Sequence, residues 1–227
     1  MLDNNLLAAI VRDAGISADD TVLEIGPGPG LLTRHLLATG AVVRAVEIDP
    51  GMRPVSIDLI ERDLAPRLTW VEADALAGGR QLSSQVLDLL PGCRTLVANL
   101  PYGISAPLLG SLALEPEAPA VWVVMIQKEM GARLGAQVGT RDYGPLAVLM
   151  SQCTVIRELR KVPPQSFWPR PKVDSVVVRI ERRAEQPARD ELLDLQGFLA
   201  AAFHTRRKTL VNSLSEAWSE SSAEVMS

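Results

Sequence analysis

The sequence predicts an α/β fold built around a Rossmann-like, mainly parallel sheet. A short apolar strand, Thr21 to Ile25, runs into the glycine-rich turn Gly26 to Gly30 and then into a helix over Leu31 to Ala38. Strand, glycine turn and helix in this order open the nucleotide-binding units of α/β folds. Further short apolar strands follow, and such continuous apolar runs are expected of parallel strands buried on both faces. Each of these strands ends on a polar side chain. At 227 residues, 47% of them hydrophobic, the chain can form one good-sized core and a small appendage.

The remaining elements follow from local patterns. A capping-type Asp or Asn within Asp3-Asn4-Asn5, followed by apolar residues at helical spacing, predicts a first helix that ends at Gly15. Three further strands are predicted over residues 41–46, 68–71 and 96–98.

The C-terminal quarter predicts one more strand and then helices. The strand Ser175 to Ile180 alternates too little to be an exposed edge, and we expect it to close the sheet. A polar linker at 185–189 precedes helices predicted over about 191–202 and 206–217. The predicted domains are therefore residues 1–184, which hold the sheet, and residues 185–227, a small helical domain.

Several classes of protein do not fit this sequence. It contains no apolar run near eighteen residues and no charged-then-apolar leader, so we expect neither a membrane span nor a secretory signal, and a cytoplasmic location. Cys93 and Cys153 lie far apart and are accompanied only by His35 and His204. We therefore expect reduced thiols and no metal site.

The charge is unevenly distributed although the net charge is −4. Residues 1–156 carry 11 Lys and Arg against 17 Asp and Glu, whereas residues 157–208 carry 12 against 7. An acidic body with a basic segment can bind a polyanion through one face, because attraction to phosphate is local at physiological ionic strength. A solvated charged surface would give the same pattern.

Polar residues follow four successive strands, which present Gly28, Glu47, Asp74 and Asn99. Since the carboxyl ends of parallel strands form the ligand crevice, these residues predict one binding site. A carboxylate after the second strand suits ribose hydroxyls, and Asp74 could accept from an adenine amine. The turn lacks the GxGxxG spacing of dinucleotide-binding folds and the lysine of a P-loop, so phosphate binding is not expected.

The fourth strand ends in Asn99-Leu100-Pro101-Tyr102, a pattern suited to a nucleobase amine. The Asn99 side-chain oxygen and the Leu100 carbonyl can both accept hydrogen bonds from an NH₂ group and aim its nitrogen at an electrophile. Pro101 fixes the local φ, and Tyr102 can offer its ring face to a base. The alternative is a strand that ends in a proline turn, with Tyr102 as an ordinary core residue.

The motifs form a series along nearly the whole chain. They are Glu24 to Gly30, Val46 to Asp49, Glu72 to Ala75, Asn99 to Tyr102, Met125 to Glu129, Tyr143 to Leu146, Val162 to Phe167, Pro169 to Ser175 and Phe203 to Leu214. Together they resemble the ribosomal RNA adenine N6-dimethyltransferases, which depend on S-adenosylmethionine. The Val-Pro-Pro and Arg-Arg-Lys-Thr-Leu segments make the sequence more similar to the branch that modifies small-subunit RNA.

This resemblance implies a class I S-adenosylmethionine-dependent methyltransferase sheet with a small C-terminal helical domain. It implies a cofactor site made of Glu24, Gly26, Gly28, Glu47, Ile48, Asp74, Ala75 and Asn99. It implies that Asn99, Leu100 and Pro101 orient the target amine, and that Tyr102 and Phe167 enclose a base flipped out of its stack. The implied RNA contacts are Arg170, Lys172, Arg206, Arg207 and Lys208. Without the resemblance, Phe167 would be expected to fill the core beneath a proline-rich loop.

The sequence departs from the family pattern at both ends. The family usually begins with a Gly-Gln-(His/Asn)-Phe-Leu segment that closes over the cofactor, and this sequence starts at Met1, one step inside it. We therefore expect this lid to be missing and the C-terminal domain, which ends at Ser227, to be shortened. We also expect a monomer.

Two alternatives remain open, and two others fit the sequence less well. The chain could be a large-subunit RNA methylase that gives macrolide resistance, or a non-catalytic RNA-binding assembly factor, which the missing lid would favour. A small-molecule methyltransferase would not need the basic segment. A DNA adenine methylase would more often have Pro in place of Leu100.

Overall fold

The computed structural model describes residues 3–205 and 208–215, and a seven-stranded sheet forms its centre. The strands are β1 (Thr21–Ile25), β2 (Val42–Glu47), β3 (Leu68–Glu72), β4 (Leu76–Ala77), β5 (Gln81–Leu82), β6 (Thr95–Asn99), β7 (Val121–Gln127), β8 (Thr154–Val162) and β9 (Ser175–Arg182). Their order in the main sheet is β3-β2-β1-β6-β7-β9-β8, while β4 and β5 form a separate antiparallel pair. Neighbours from β3 to β7 are parallel, and β9 runs antiparallel to both β7 and β8.

Helices pack on both faces of this sheet. They are α1 (Asn4–Ala14), α2 (Leu31–Leu37), α3 (Met52–Leu59), α4 (Ser84–Leu89), α5 (Ser105–Leu114), α6 (Lys128–Leu134), α7 (Pro145–Cys153) and α8 (Arg189–Ala202), with short 3-10 turns at Ala65–Arg67 and Pro164–Ser166. Residues 210–215 are also helical. In the part of the chain that the structure describes, no helix is long and apolar enough to cross a membrane.

The first helix begins and ends where the sequence predicts. The Asp3 carboxylate accepts a hydrogen bond from the Asn5 N–H at 2.8 Å, and Gly15 adopts the left-handed conformation with φ +64°. Leu7 and Ile10 are fully buried against the sheet. A capping side chain, an apolar stripe and a terminal glycine thus fix the length of α1.

Two clusters of apolar side chains cover the two faces of the sheet. Leu23 and Ile25 of β1 point into one cluster, together with residues of α5, α7 and α8. Val22 points into the other, together with residues of α1 and α2. Because β1 is buried on both faces from Val22 onwards, its residues Val22 to Ile25 are apolar except for Glu24. Helix α8 contributes Leu192 and Leu199 to the first cluster.

The prediction for the last strand is wrong in one respect. As expected, β9 is not an exposed edge strand. It does not close the sheet, however, because it lies between β7 and β8. The edge position belongs to β8, which the sequence reasoning did not identify as a strand. β8 carries charged side chains from Arg157 to Lys161, which suit an edge, whereas Val176 to Val178 of β9 are buried.

Candidate active site

The glycine turn after β1 lies against both neighbouring strand ends. Gly26, Gly28 and Gly30 all have positive φ angles, of +69°, +55° and +85°. The Gly26 N–H donates to the Val46 carbonyl oxygen at 2.9 Å. A Cβ on Gly30 would lie 2.2 Å from the Ser56 Oγ, whereas a Cβ on Gly28 would meet no atom within 4 Å. The turn is therefore tightly packed at Gly30 and open at Gly28.

Glu47, at the end of β2, is hydrogen-bonded to this turn. Glu47 is only 7% exposed; its Oε2 accepts from the Gly28 N–H at 2.9 Å, and its Oε1 accepts from the Asp49 N–H at 3.0 Å. A carboxylate has about four lone-pair positions, so these two bonds leave room for hydroxyl donors. The adjacent Ile48 is 64% exposed, which leaves an apolar side chain at the same strand end.

Glu24 lies inside β1 and is the most unusual titratable group in the structure. It is fully buried, and neither carboxylate oxygen has a hydrogen-bond partner among the described residues. Burial raises the pKa of the Glu24 carboxyl to about 8; the neighbouring Thr33 hydroxyl opposes this rise, and the negative charge of Glu47 adds to it. A buried carboxyl without a partner is costly, and such groups mark candidate ligand sites.

The end of β3 contributes Asp74 and Ala75 to the same edge. Asp74 is exposed, and its Oδ1 accepts from the Leu76 N–H at 2.9 Å. Ala75 is buried, and its carbonyl accepts from the Ser83 N–H at 3.0 Å. Among the described residues, neither the Ala75 N–H nor the second Asp74 oxygen has a hydrogen-bond partner, so both are available to a ligand.

The end of β6 carries the predicted amine-binding segment. The Leu100 N–H donates to the Met125 carbonyl of β7 at 3.0 Å, and the Leu100 side chain is buried. Within residues 3–205 and 208–215, neither the Asn99 side-chain amide nor the Leu100 carbonyl has a hydrogen-bond partner. Tyr102 is 46% exposed and is therefore not an ordinary core residue. Both predicted acceptors are thus available at the mouth of the site.

Pro101 joins the amine-binding segment to the glycine turn. Its Cδ would lie 3.6 Å from a Cβ on Gly26, which is ordinary van der Waals contact. The Pro101 carbonyl accepts from the Ser105 Oγ at 3.0 Å and from the Ile104 N–H at 3.3 Å, so the turn is fixed to the start of α5. The two predicted binding regions therefore share a wall.

Phe167 follows the 3-10 turn Pro164–Ser166 and has two environments. Part of its ring packs against the core cluster that contains α1 and α2, and part remains accessible. No ring contact joins Phe167 to Tyr102 in the described structure. Part of the Phe167 ring therefore belongs to the core, and its role toward a base stays a prediction.

The basic residues divide into two groups. Arg170, Lys172 and Lys208 are exposed, while the predicted contacts Arg206 and Arg207 lie outside the described residues. Other cations of the basic segment are held within the protein: Arg179 donates to the Asp13 carbonyl, and Arg182 donates to the Pro116 and Ala118 carbonyls. Part of the positive charge therefore has a structural role.

The sequence reasoning missed a cavity of about 690 Å³ beside this site. Tyr143 and Phe203 line it, with ring centroids 6.1 Å apart and an angle of 60° between the ring planes. The available signal was that both aromatics occur inside the family-like segments, although nothing in the sequence indicates that they meet.

Among the described residues, no group of three or more His, Cys, Asp or Glu side chains could hold a metal ion.

The strand order and the crevice at the strand ends define a class I S-adenosylmethionine-dependent methyltransferase. The sequence profile of the ribosomal RNA adenine dimethylase family matches residues 1–227. The chain belongs to this family. The predicted family, fold class and cofactor are confirmed.

Similar proteins cover most of the chain. Ribosomal RNA small subunit methyltransferase A of Phenylobacterium zucineum is 43% identical over 214 residues, which are 94% of this chain and 73% of that protein. The crystal structure of a dimethyladenosine transferase from Plasmodium falciparum superposes with a TM-score of 0.74 at 29% identity, over 94% of this chain and 74% of that one. The 23S rRNA methyltransferase ErmE superposes with a TM-score of 0.69 at 27% identity, over 95% and 84%.

Proposed function

We propose that this protein dimethylates adenines at N6 in small-subunit ribosomal RNA, with S-adenosylmethionine as methyl donor. The subunit is inferred from the small-subunit methyltransferase of Phenylobacterium zucineum, which is 43% identical. We further propose that the protein acts as a monomer in the cytoplasm.

One observation supports this function most directly. Pro101 of the amine-binding segment packs against Gly26 of the glycine turn, with a separation of 3.6 Å from a Cβ built there. A methyl donor held at the turn and an amine held at Asn99 would therefore be neighbours, which is the requirement for a direct transfer.

The residues present fit the cofactor. Open space above Gly28 would admit a ligand close to the backbone, and the unpartnered carboxyl of Glu24 would suit the positively charged methionine end. Glu47 would accept from the ribose hydroxyls, and Asp74 with the Ala75 N–H would bind the adenine beside Ile48. When bound, S-adenosylmethionine supplies an electrophilic methyl group.

The amine-binding segment would align the target nitrogen. The Asn99 Oδ1 and the Leu100 carbonyl, both without partners in the described structure, would accept the two amine protons and so orient the nitrogen lone pair. Pro101 would hold these two acceptors in place, and Tyr102 and Phe167 would enclose the flipped base. The amine becomes more acidic as it is alkylated, so alignment and exclusion of water can suffice without a strong general base.

The RNA would be held outside this pocket by cations of the basic segment. We propose that Arg170, Lys172, Arg206, Arg207 and Lys208 contact phosphates. We also propose a division of labour in which residues 1–184 bind the cofactor and the target base and residues 185–227 face the RNA.

The test is transfer of labelled methyl groups to small ribosomal subunits purified from a strain that lacks this modification. Large subunits are the control, and mass spectrometry identifies the methylated nucleosides. Dimethyladenosine in small subunits alone is expected. Labelling of large subunits would favour the reaction of ErmE-like enzymes, and binding of cofactor and subunit without transfer would favour a non-catalytic assembly factor.

A further inference from the structure

A cavity of about 690 Å³ lies on the side of the amine-binding segment opposite the glycine turn. In the sheet, β6 has two neighbours, β1 and β7. β1 leads into the glycine turn, whereas β7 leads into α6, whose Met130 and Arg133 line the cavity. Ala106, in the first turn of α5 directly after the amine-binding segment, also lines it. The glycine turn and the cavity therefore flank the segment from Asn99 to Ile104.

The cavity wall has the chemistry of a nucleotide site. Tyr143 and Phe203 form a tilted ring pair, and both side chains are only partly buried, so ring surface remains accessible. The exposed Arg133 lies on the same wall, together with the exposed carboxylates of Glu129 and Asp142. Aromatic rings stack on unpaired bases, a guanidinium binds phosphate, and carboxylates accept hydrogen bonds from base amino groups.

The size and position of the cavity restrict its occupant. Its volume lies within the range of roughly 300–1,000 Å³ that is typical of small-molecule sites, which accommodates one nucleotide and excludes a duplex. A nucleotide joined to a base held at Asn99 would leave the site on the β7 side, since the glycine turn occupies the β1 side. A flipped base also leaves its neighbours partly unstacked, which makes a second stacking surface useful.

We propose that this cavity binds a second, unstacked base that adjoins the target adenine in the same RNA strand. Tyr143 and Phe203 provide the stacking surface, and Arg133 binds the linking phosphate. This inference rests on the proposed function, because it assigns a neighbour to the adenine methylated at Asn99. Recognition of the neighbouring base would make sequence next to the target part of substrate selection.

The first test distinguishes the contribution of the Tyr143 aromatic ring from that of its hydroxyl group and of side-chain bulk. Tyr143→Leu should raise the KM for small subunits on the order of tenfold, since base stacking contributes about 1–3 kcal/mol. Its affinity for S-adenosylmethionine should not change, because the glycine turn lies on the other side of the segment. Tyr143→Phe keeps the stacking surface and should retain the KM of the wild type. An unchanged KM in Tyr143→Leu, or equal losses in both variants, would overturn the proposal.

The second test reports where the RNA lies rather than how tightly it binds. A photoreactive p-benzoylphenylalanine is placed at position 143, and the enzyme is irradiated in complex with unmethylated small subunits. Sequencing of the crosslinked RNA should place the attachment within one nucleotide of the methylated adenine. The control carries the same amino acid at position 42. Val42 is exposed at the start of β2, so it lies at the amino ends of the strands, away from the site at their carboxyl ends.

The outcomes separate the two proposals. Attachment next to the target supports the cavity as a base site, whereas attachment elsewhere, or none above the position-42 control, refutes it. Methyl transfer by the wild type to the same subunits is measured in parallel. If that transfer is absent, the proposed function itself fails, whatever the crosslinks show.

Discussion

The buried carboxyl of Glu24 should make the stability of this protein fall as the pH rises. Burial raises the pKa of Glu24 from 4.5 to about 8 in the folded protein. Between these two values the folded state keeps a proton that the unfolded state has lost. The free energy of unfolding therefore decreases with increasing pH, by up to 1.36 kcal/mol per pH unit for one group.

The magnitude follows from the size of this window. From pH 5 to pH 8 the loss attributable to Glu24 is about 3–4 kcal/mol, which corresponds to roughly 10 °C in Tm for a chain of this length. Glu24→Gln removes the titration while preserving the shape of the side chain. The variant should therefore become more stable relative to the wild type as the pH increases through this window.

The assay is urea denaturation of both proteins at pH 5, 6, 7 and 8 without cofactor. Glu61→Gln is the matched control, because the hydrogen bond from Arg34 lowers the pKa of the exposed Glu61, so its titration lies below this window. That variant should keep the pH slope of the wild type. If Glu24→Gln and the wild type have parallel stability curves from pH 5 to pH 8, the reasoning about the buried carboxyl is refuted.

Four further substitutions probe the site. Asn99→Ala should abolish methyl transfer and leave cofactor binding intact, whereas Glu47→Ala should weaken cofactor binding measured by calorimetry; equal loss of both properties in each variant would contradict these roles. Gly30→Ala should lower the free energy of unfolding by about 1–3 kcal/mol or more, because the φ of Gly30 is +85° and an added Cβ would clash with Ser56. An unchanged denaturation midpoint would contradict this packing. Phe167→Leu should keep a thermal stability close to that of the wild type. Its KM for small subunits should rise, because about 1–3 kcal/mol of base stacking is lost. Normal methylation by this variant would show that the ring has only a core role.

The strand-end residues could be predicted from sequence because parallel geometry is local and repetitive. Once each short apolar strand is recognised, its carboxyl end must lie at the same edge as the others. Glu47 and Asn99 therefore come to the edge that also carries Gly28. The capping of α1 was predictable for a similar reason, since Asp3 and Gly15 act within one helical turn.

Features that depend on long-range pairing were not predictable in this way. The position of β9 inside the sheet depends on the antiparallel strand β8, and no turn signal between them indicates which strand takes the edge. The contact between Tyr143 and Phe203 joins a loop before α7 to the end of α8, and it exists only after both helices pack on the sheet. The missing partners of Glu24 are likewise invisible in sequence, because they depend on everything that surrounds β1.

The hydrogen bonds of Glu47 have a consequence for the thermodynamics of ligand binding. Its two carboxylate oxygens already fix the N–H groups of Gly28 and Asp49, so the loops after β1 and β2 are ordered before a ligand arrives. Preorganised sites lose little conformational entropy on association, and more of the contact energy is retained as affinity. We therefore expect only a small entropic penalty from loop ordering when the methyl donor binds.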